Sequence, residues 1–114
     1  MTLLAIRILP EPVRTIAFGA IGAGYMGIGT AIDNPARLFF LQNLTDQLLM
    51  FSWDGVTDHF PLPSEGFLLM DVTSNKSISQ GFFVGEGTRF YVRDTGIAPT
   101  VGAVYLAVFY GFEG

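Results

Sequence analysis

Asp54, Asp58 and His59 form the one local group of residues whose types could perform chemistry. Two carboxylates and an imidazole can bind a divalent cation or act as general acid and base. Asp58 and His59, however, are successive residues, which point to opposite faces of a strand. Asp54 is followed by Gly55, and this pair is typical of a type I′ turn between two strands. The sequence therefore predicts a hairpin here, with no metal ion and no other cofactor.

The predicted hairpin joins strands at residues 48–53 and 56–60, and a proline-rich loop at residues 61–66 follows it. Its tip and this loop are exposed features, so we expect them to contact a neighbouring subunit. We also expect Arg7 and Phe112, which lie near the two ends of the sequence, to contact a neighbouring subunit. The predicted contact residues are Asp54, Gly55, His59, Pro61, Pro63, Arg7 and Phe112.

Residues 15–32 carry no charge and include five glycines. The run touches the lower length limit of a membrane span, and residues 22–27 match the G-x-G-x-x-G pattern of dinucleotide-binding proteins. That pattern requires a strand before it and a helix after it, whereas Gly29, Thr30 and Pro35 follow here. We therefore predict a strand to about residue 21, a glycine-rich bend and a second short strand, with no membrane insertion.

Aromatic residues leave a second functional alternative open. Trp53 could join nearby tyrosines in a platform that stacks on sugars, as in a carbohydrate-binding module, although tryptophan beside a hairpin more often packs in a core. No Gly-x-Ser-x-Gly pattern is present, and no serine–histidine–aspartate set can be argued from spacing. We therefore predict a protein that is not an enzyme. The candidate platform consists of Trp53, Phe51, Tyr91, Tyr105 and Tyr110.

The composition points to association between proteins. The 114 residues are 50% hydrophobic and only 14% charged, whereas an average soluble domain is about 25% charged. Large exposed apolar patches usually mark interfaces, so the composition predicts a homo-oligomer or a larger assembly. A net charge of −4 with scattered basic residues excludes the usual nucleic-acid binders. The absence of cysteine suits assembly in a reducing cytoplasm.

The pattern of strands predicts a single all-β domain. Eight or nine short strands alternate with turns rich in glycine, proline, aspartate and asparagine, which is typical of an antiparallel β-sandwich of jelly-roll type. Residues 1–12 form an N-terminal strand or arm, and residues 13–114 form the sandwich. Polar residues 73–80 are predicted to be a loop and residues 81–84 a strand. Residues 103–112 are apolar on both faces, so they should form a central strand or be covered by a partner.

Several segments resemble a group of small structural proteins of tailed-bacteriophage virions. The clearest is FSWDGVTDHFPLP, and the likeness covers about two-thirds of the chain. The resemblance implies a β-sandwich subunit that decorates the capsid as a cement protein or belongs to the neck or tail. It also implies partners: other copies of itself, as a trimer or ring, and the major capsid or neck proteins, in a virion assembled in the host cytoplasm. The segments are residues 43–46, 51–63, 71–76, 87–92 and 104–111.

Overall fold

Our computed structural model describes residues 6–71 and 84–113. This part of the chain contains nine strands and one short 3-10 helix. The predicted loop at 73–80 and most of the predicted strand at 81–84 lie outside these residues. The helix is Phe18–Ala20. The strands are β1 (Ile6–Pro10), β2 (Arg14–Ala17), β3 (Met26–Gly27), β4 (Ala36–Asn43), β5 (Leu49–Ser52), β6 (Phe60–Leu62), β7 (Phe67–Asp71), β8 (Tyr91–Asp94) and β9 (Ala103–Glu113).

The topology is that of one long hairpin that has been rolled up. Antiparallel pairs are nested along the chain: β1 and β2 pair with β9, β3 with β8, β4 with β7, and β5 with β6. Rolling adds the pairs β4–β9 and β5–β8. Sheet A therefore has the order β1-β9-β4-β7, with β2 also on β9, and sheet B has the order β3-β8-β5-β6. This is a jelly roll, which confirms the predicted all-β sandwich.

The core lies between the two sheets. In residues 39–43 of β4 and 104–108 of β9, every second residue is buried, and the register places Phe39 beside Val108 and Leu41 beside Leu106. A register shift between Ala36 and Leu38 interrupts the alternation at the start of β4. Strand β9 lies between β1 and β4, in the central position that its two apolar faces predict. The fully buried apolar side chains are Phe39, Phe51, Phe90, Ile28, Leu41, Leu49, Leu106, Val92, Val104 and Val108.

The predicted two-residue hairpin is wrong. Strand β6 begins only at Phe60, so the connection from β5 is a loop of residues 53–59. A type I′ turn needs positive φ at both central residues, but only Gly55 has it, at 78°. The physical reason is the Asp54 carboxylate, whose Oδ1 accepts hydrogen bonds from the amides of Val56 and Thr57, at 2.8 and 2.7 Å. These bonds fold the loop on itself, in place of a continued strand ladder.

A buried ion pair fastens the linker between β1 and β2 to the loop before β4. Arg14 Nη2 lies 2.8 Å from Glu11 Oε1, and both side chains are buried. Glu11 also accepts hydrogen bonds from the amides of Asp33 and Asn34, and Arg14 donates to the Thr30 carbonyl. Burial acts to raise the pKa of Glu11, but the hydrogen bonds outweigh it and lower the pKa below its ordinary value. The pair therefore stabilises the fold only while Glu11 is ionised.

We expect the protein to lose stability at acidic pH, in part through Glu11. Because its folded-state pKa is lowered, its contribution is complete above about pH 5.3, one unit over the ordinary value of about 4.3. The contribution is lost as the pH falls through the folded-state pKa. In thermal melts between pH 7 and pH 3, the Tm of Glu11→Gln should change less with pH than the Tm of the wild type. At pH 7 the variant should have the lower Tm. Glu86→Gln, at an exposed position, should follow the wild type; an identical slope in all three proteins would contradict this account.

One buried amide joins three segments at the far end of β4. Asn43 is completely buried, and its Nδ2 donates to the carbonyls of Gln47 and Leu62, both at 2.9 Å. Its Oδ1 accepts from the Thr45 amide at 3.0 Å and from the Thr45 hydroxyl at 2.6 Å. The Asn43 side chain thus connects β4, the β4–β5 loop and β6 without exposing a polar group.

Asn43→Ala should lower the free energy of unfolding by about 2–4 kcal/mol, because it leaves buried donors and acceptors without partners. Urea denaturation followed by tryptophan fluorescence measures this change. Thr95→Ala is the matched control, since it removes one exposed hydroxyl bond to Leu48. A loss below about 0.5 kcal/mol, the size expected at an ordinary surface site, would show that the Asn43 amide is not structurally important.

Candidate functional site

Sheet A is apolar on its outward side as well as on its core side. The inward residues of β4 and β9 are buried, so the alternate residues point outward, and the register sets Phe40 between Leu69 and Ala107. Phe40 and Phe67 are in edge-to-face contact at 5.5 Å between ring centroids. We call this surface the outer face of sheet A. It consists of Ile8, Leu38, Phe40, Phe67, Leu69, Tyr105, Ala107 and Phe109.

Large parts of this outer face are open to solvent. Phe67 is 62% exposed, Leu69 55% and Ile8 52%, although each belongs to a paired strand. Strands β4 and β9 direct Leu38, Phe40, Gln42, Tyr105, Ala107 and Phe109 outward, and none of these is charged. A sheet covered on one side only would normally carry polar residues at these positions. The outer face of sheet A is therefore more apolar than the solvent-facing side of a sheet usually is.

The outward side of sheet B differs because it carries charge. Arg93 Nη2 lies 2.8 Å from Asp58 Oδ2, its guanidinium lies 5.6 Å from the Tyr25 ring centroid, and the Tyr25 hydroxyl donates to Asp58. The Arg93 hydrogen bond lowers the pKa of Asp58. Desolvation is the main reason that the pKa of Tyr25 is raised. These contacts hold the β2–β3 and β5–β6 loops against β8.

The structure assigns the three chemically capable residues of the β5–β6 loop to separate partners. Asp54 binds backbone amides within the loop, which lowers its pKa, and Asp58 pairs with Arg93. His59 Nδ1 accepts from the Trp53 amide at 3.0 Å. Within residues 6–71 and 84–113, no three side chains of His, Cys, Asp or Glu are grouped as metal ligands.

The residues predicted to contact other subunits are dispersed. Asp54, Gly55 and His59 lie together in the β5–β6 loop. Pro61 is exposed in β6, at the edge of sheet B, where a residue without an amide proton is tolerated. Pro63 begins the next loop, and its carbonyl accepts from Gly66 at 2.8 Å. In sheet A, the backbones of Arg7 and Phe112 are register partners in β1 and β9. Their roles in contact remain predictions.

The structure does not assemble the candidate sugar platform. The Trp53 ring packs edge-on against Phe39 and Phe90, with centroid distances of 5.9 and 5.8 Å, at the end of the core. Tyr91 belongs to β8 in sheet B, whereas Tyr105 lies on the outer face of sheet A. Tyr110 also belongs to β9 and Phe51 is buried. The main role of Trp53 in this arrangement is packing.

Trp53→Ala should therefore lower the free energy of unfolding by about 3 kcal/mol, the lower end for removing a large aromatic side chain from a core. Guanidinium denaturation followed by far-ultraviolet circular dichroism measures this without the tryptophan signal. Val56→Ala is the control, since Val56 is 82% exposed. Equal stability of the two variants would show that Trp53 is free to serve another purpose.

The glycine-rich pattern at residues 22–27 has no dinucleotide-binding context. Met26–Gly27 is strand β3, not the start of a helix, and the Gly22 carbonyl accepts from the Asp94 amide at 2.8 Å. The guanidinium end of the exposed Arg89 side chain lies in the space that a Cβ at Gly27 would occupy. Among the described residues, no helix has the length and apolar character to cross a membrane.

Comparisons with known proteins give no match to any family model, curated protein or solved structure. The surfaces of this fold are therefore the observations that bear on its function. Sequence reasoning missed the outer face of sheet A as a defined site. A signal for it exists in β7, where the run Phe67–Asp71 is apolar at both alternating positions until its final aspartate.

Proposed function

We propose that this protein is a non-enzymatic structural subunit of a tailed-bacteriophage virion, which acts by self-association and by binding the capsid or the head–tail neck. The observation that carries the proposal is the outer face of sheet A, an apolar surface with an uncharged middle on a well-packed jelly roll. The resemblance of its sequence segments to small virion proteins supplies the biological setting.

The exposed apolar area favours a permanent assembly over a free monomer. Phe67, Leu69, Ile8 and Tyr105 together leave about 400 Å² in water, taking about 200 Å² for a large side chain. Covering that area would contribute about 10 kcal/mol before the costs of association, at about 25 cal/mol per Å². In a particle, burial of the outer face against partner proteins would stabilise the assembly by this free energy.

The titratable groups of the described residues support a structural role, since the fold itself uses them. Glu11 is paired with Arg14, Asp58 with Arg93, and Asp54 with loop amides. A general acid or base has to form a hydrogen bond with its substrate. These three carboxylates already form hydrogen bonds or ion pairs within the protein. A particle subunit needs such ordered loops because its contacts depend on shape.

Mass spectrometry of purified particles tests the proposal. We expect the chain in gradient-purified virions of the phage that encodes it, at a copy number in fixed proportion to the major capsid or portal protein. Its removal during mild dissociation of the particles should reduce their mechanical or thermal stability. Absence of the chain from particles, with its presence in the infected-cell lysate, would overturn the proposed function.

A further inference from the structure

We propose that the outer face of sheet A packs against the same face of a second copy of this chain, forming a two-fold dimer. The inference rests on the proposed function only for the statement that the protein self-associates. It adds the surface, the occupant and the symmetry of the contact.

The distribution of charge favours a second copy over a different protein. The chain carries a net charge of −4, so two copies repel one another over most of their surfaces. Within residues 38–42 of β4 and 105–109 of β9, the outward positions carry no charge, and the charged residues Arg37 and Asp71 lie at one end of the face, beside Leu38. A partner of different sequence could be selected by complementary charges, but the middle of this face provides none to select it. An apolar surface with an uncharged middle is complementary to itself.

The area fits this occupant. A stable interface buries about 800 Å² on each partner. The four most exposed side chains of the outer face supply about half of that area, by the estimate of about 200 Å² for each large side chain. The half-buried Leu38, Phe40, Ala107 and Phe109 lie among them and add to it. The face is therefore as large as the largest apolar patch of a typical monomer, which is often a functional surface, and it suits one partner of similar size.

Sheet geometry also permits the contact. Two sheets stack face to face about 10 Å apart, with interdigitated side chains, as sheets A and B already do within one chain. Phe40 and Ala107 are register partners in β4 and β9, the two central strands, and so lie near the middle of the outer face. In a two-fold contact, the residues at the middle of one face meet the middle of the other. Ala107 is therefore the position at which a new charge would meet its own copy.

Oppositely charged variants at this position test the inference. Wild-type protein should sediment as a dimer in analytical ultracentrifugation, while Ala107→Glu and Ala107→Lys should each sediment as folded monomers, with dissociation constants raised by more than about 100-fold. An equimolar mixture of the two variants should restore the dimer, because glutamate on one copy then faces lysine on the other. Ala98→Glu, an exposed alanine in the β8–β9 loop, is the matched control and should remain dimeric.

Circular dichroism melts establish that each variant folds, and Phe67→Ser provides a second, uncharged disruption if a variant at position 107 does not. A monomeric wild type, a dimer that persists in both charged variants, or a mixture that stays monomeric would each overturn the inference.

Binding of the same proteins to purified particles is measured separately by co-sedimentation. A wild-type monomer that binds particles and loses binding in Ala107→Glu places another virion protein on this face, which overturns the dimer and leaves the proposed function standing. If the wild-type protein is a dimer but is absent from purified particles, the dimer stands and the proposed function is overturned.

Discussion

Strand β9 is the constraint on which the rest of the structure depends. It is the longest described strand, and it pairs with β1 and β2 on one side and with β4 on the other. Each partner contributes inward residues to the core only because β9 holds it in register. A strand in this position must be apolar toward sheet B, and its outward residues follow the same composition. The function proposed here arises from that second apolar side.

The outward sides of the two sheets differ in the side chains that they carry. On sheet B, Arg93, Asp58 and Tyr25 satisfy one another and hold loops against the sheet. On sheet A, the outward residues have no comparable internal partners for their apolar surface. The middle of the outer face of sheet A carries no charge, and it is the surface that we propose for association.

The sequence was sufficient to predict the fold class and several strands, because alternation in β4 and β8 is strong and turn residues separate the strands. The strand predicted to about residue 21 ends at Ala17, and the 3-10 helix Phe18–Ala20 follows it. It was insufficient for the β5–β6 loop, where the Asp54 side chain competes with the strand ladder for the amides of Val56 and Thr57. The outer face was hidden for a related reason. Both alternating sets of β7 are apolar, and only its pairing with β4 decides that Phe67 points outward.

The central position of β9 has a consequence for how the protein is made. A ribosome produces β1, β2 and β4 long before β9, yet all three pair with it. Sheet A therefore stays incomplete until β9 has been made, and until then the apolar residues of its early strands lack their neighbours. Long-range pairings of this kind slow folding and expose the nascent chain to aggregation. Strand β9 completes sheet A when it emerges, so a chain interrupted before β9 lacks the pairing partner that β1, β2 and β4 share.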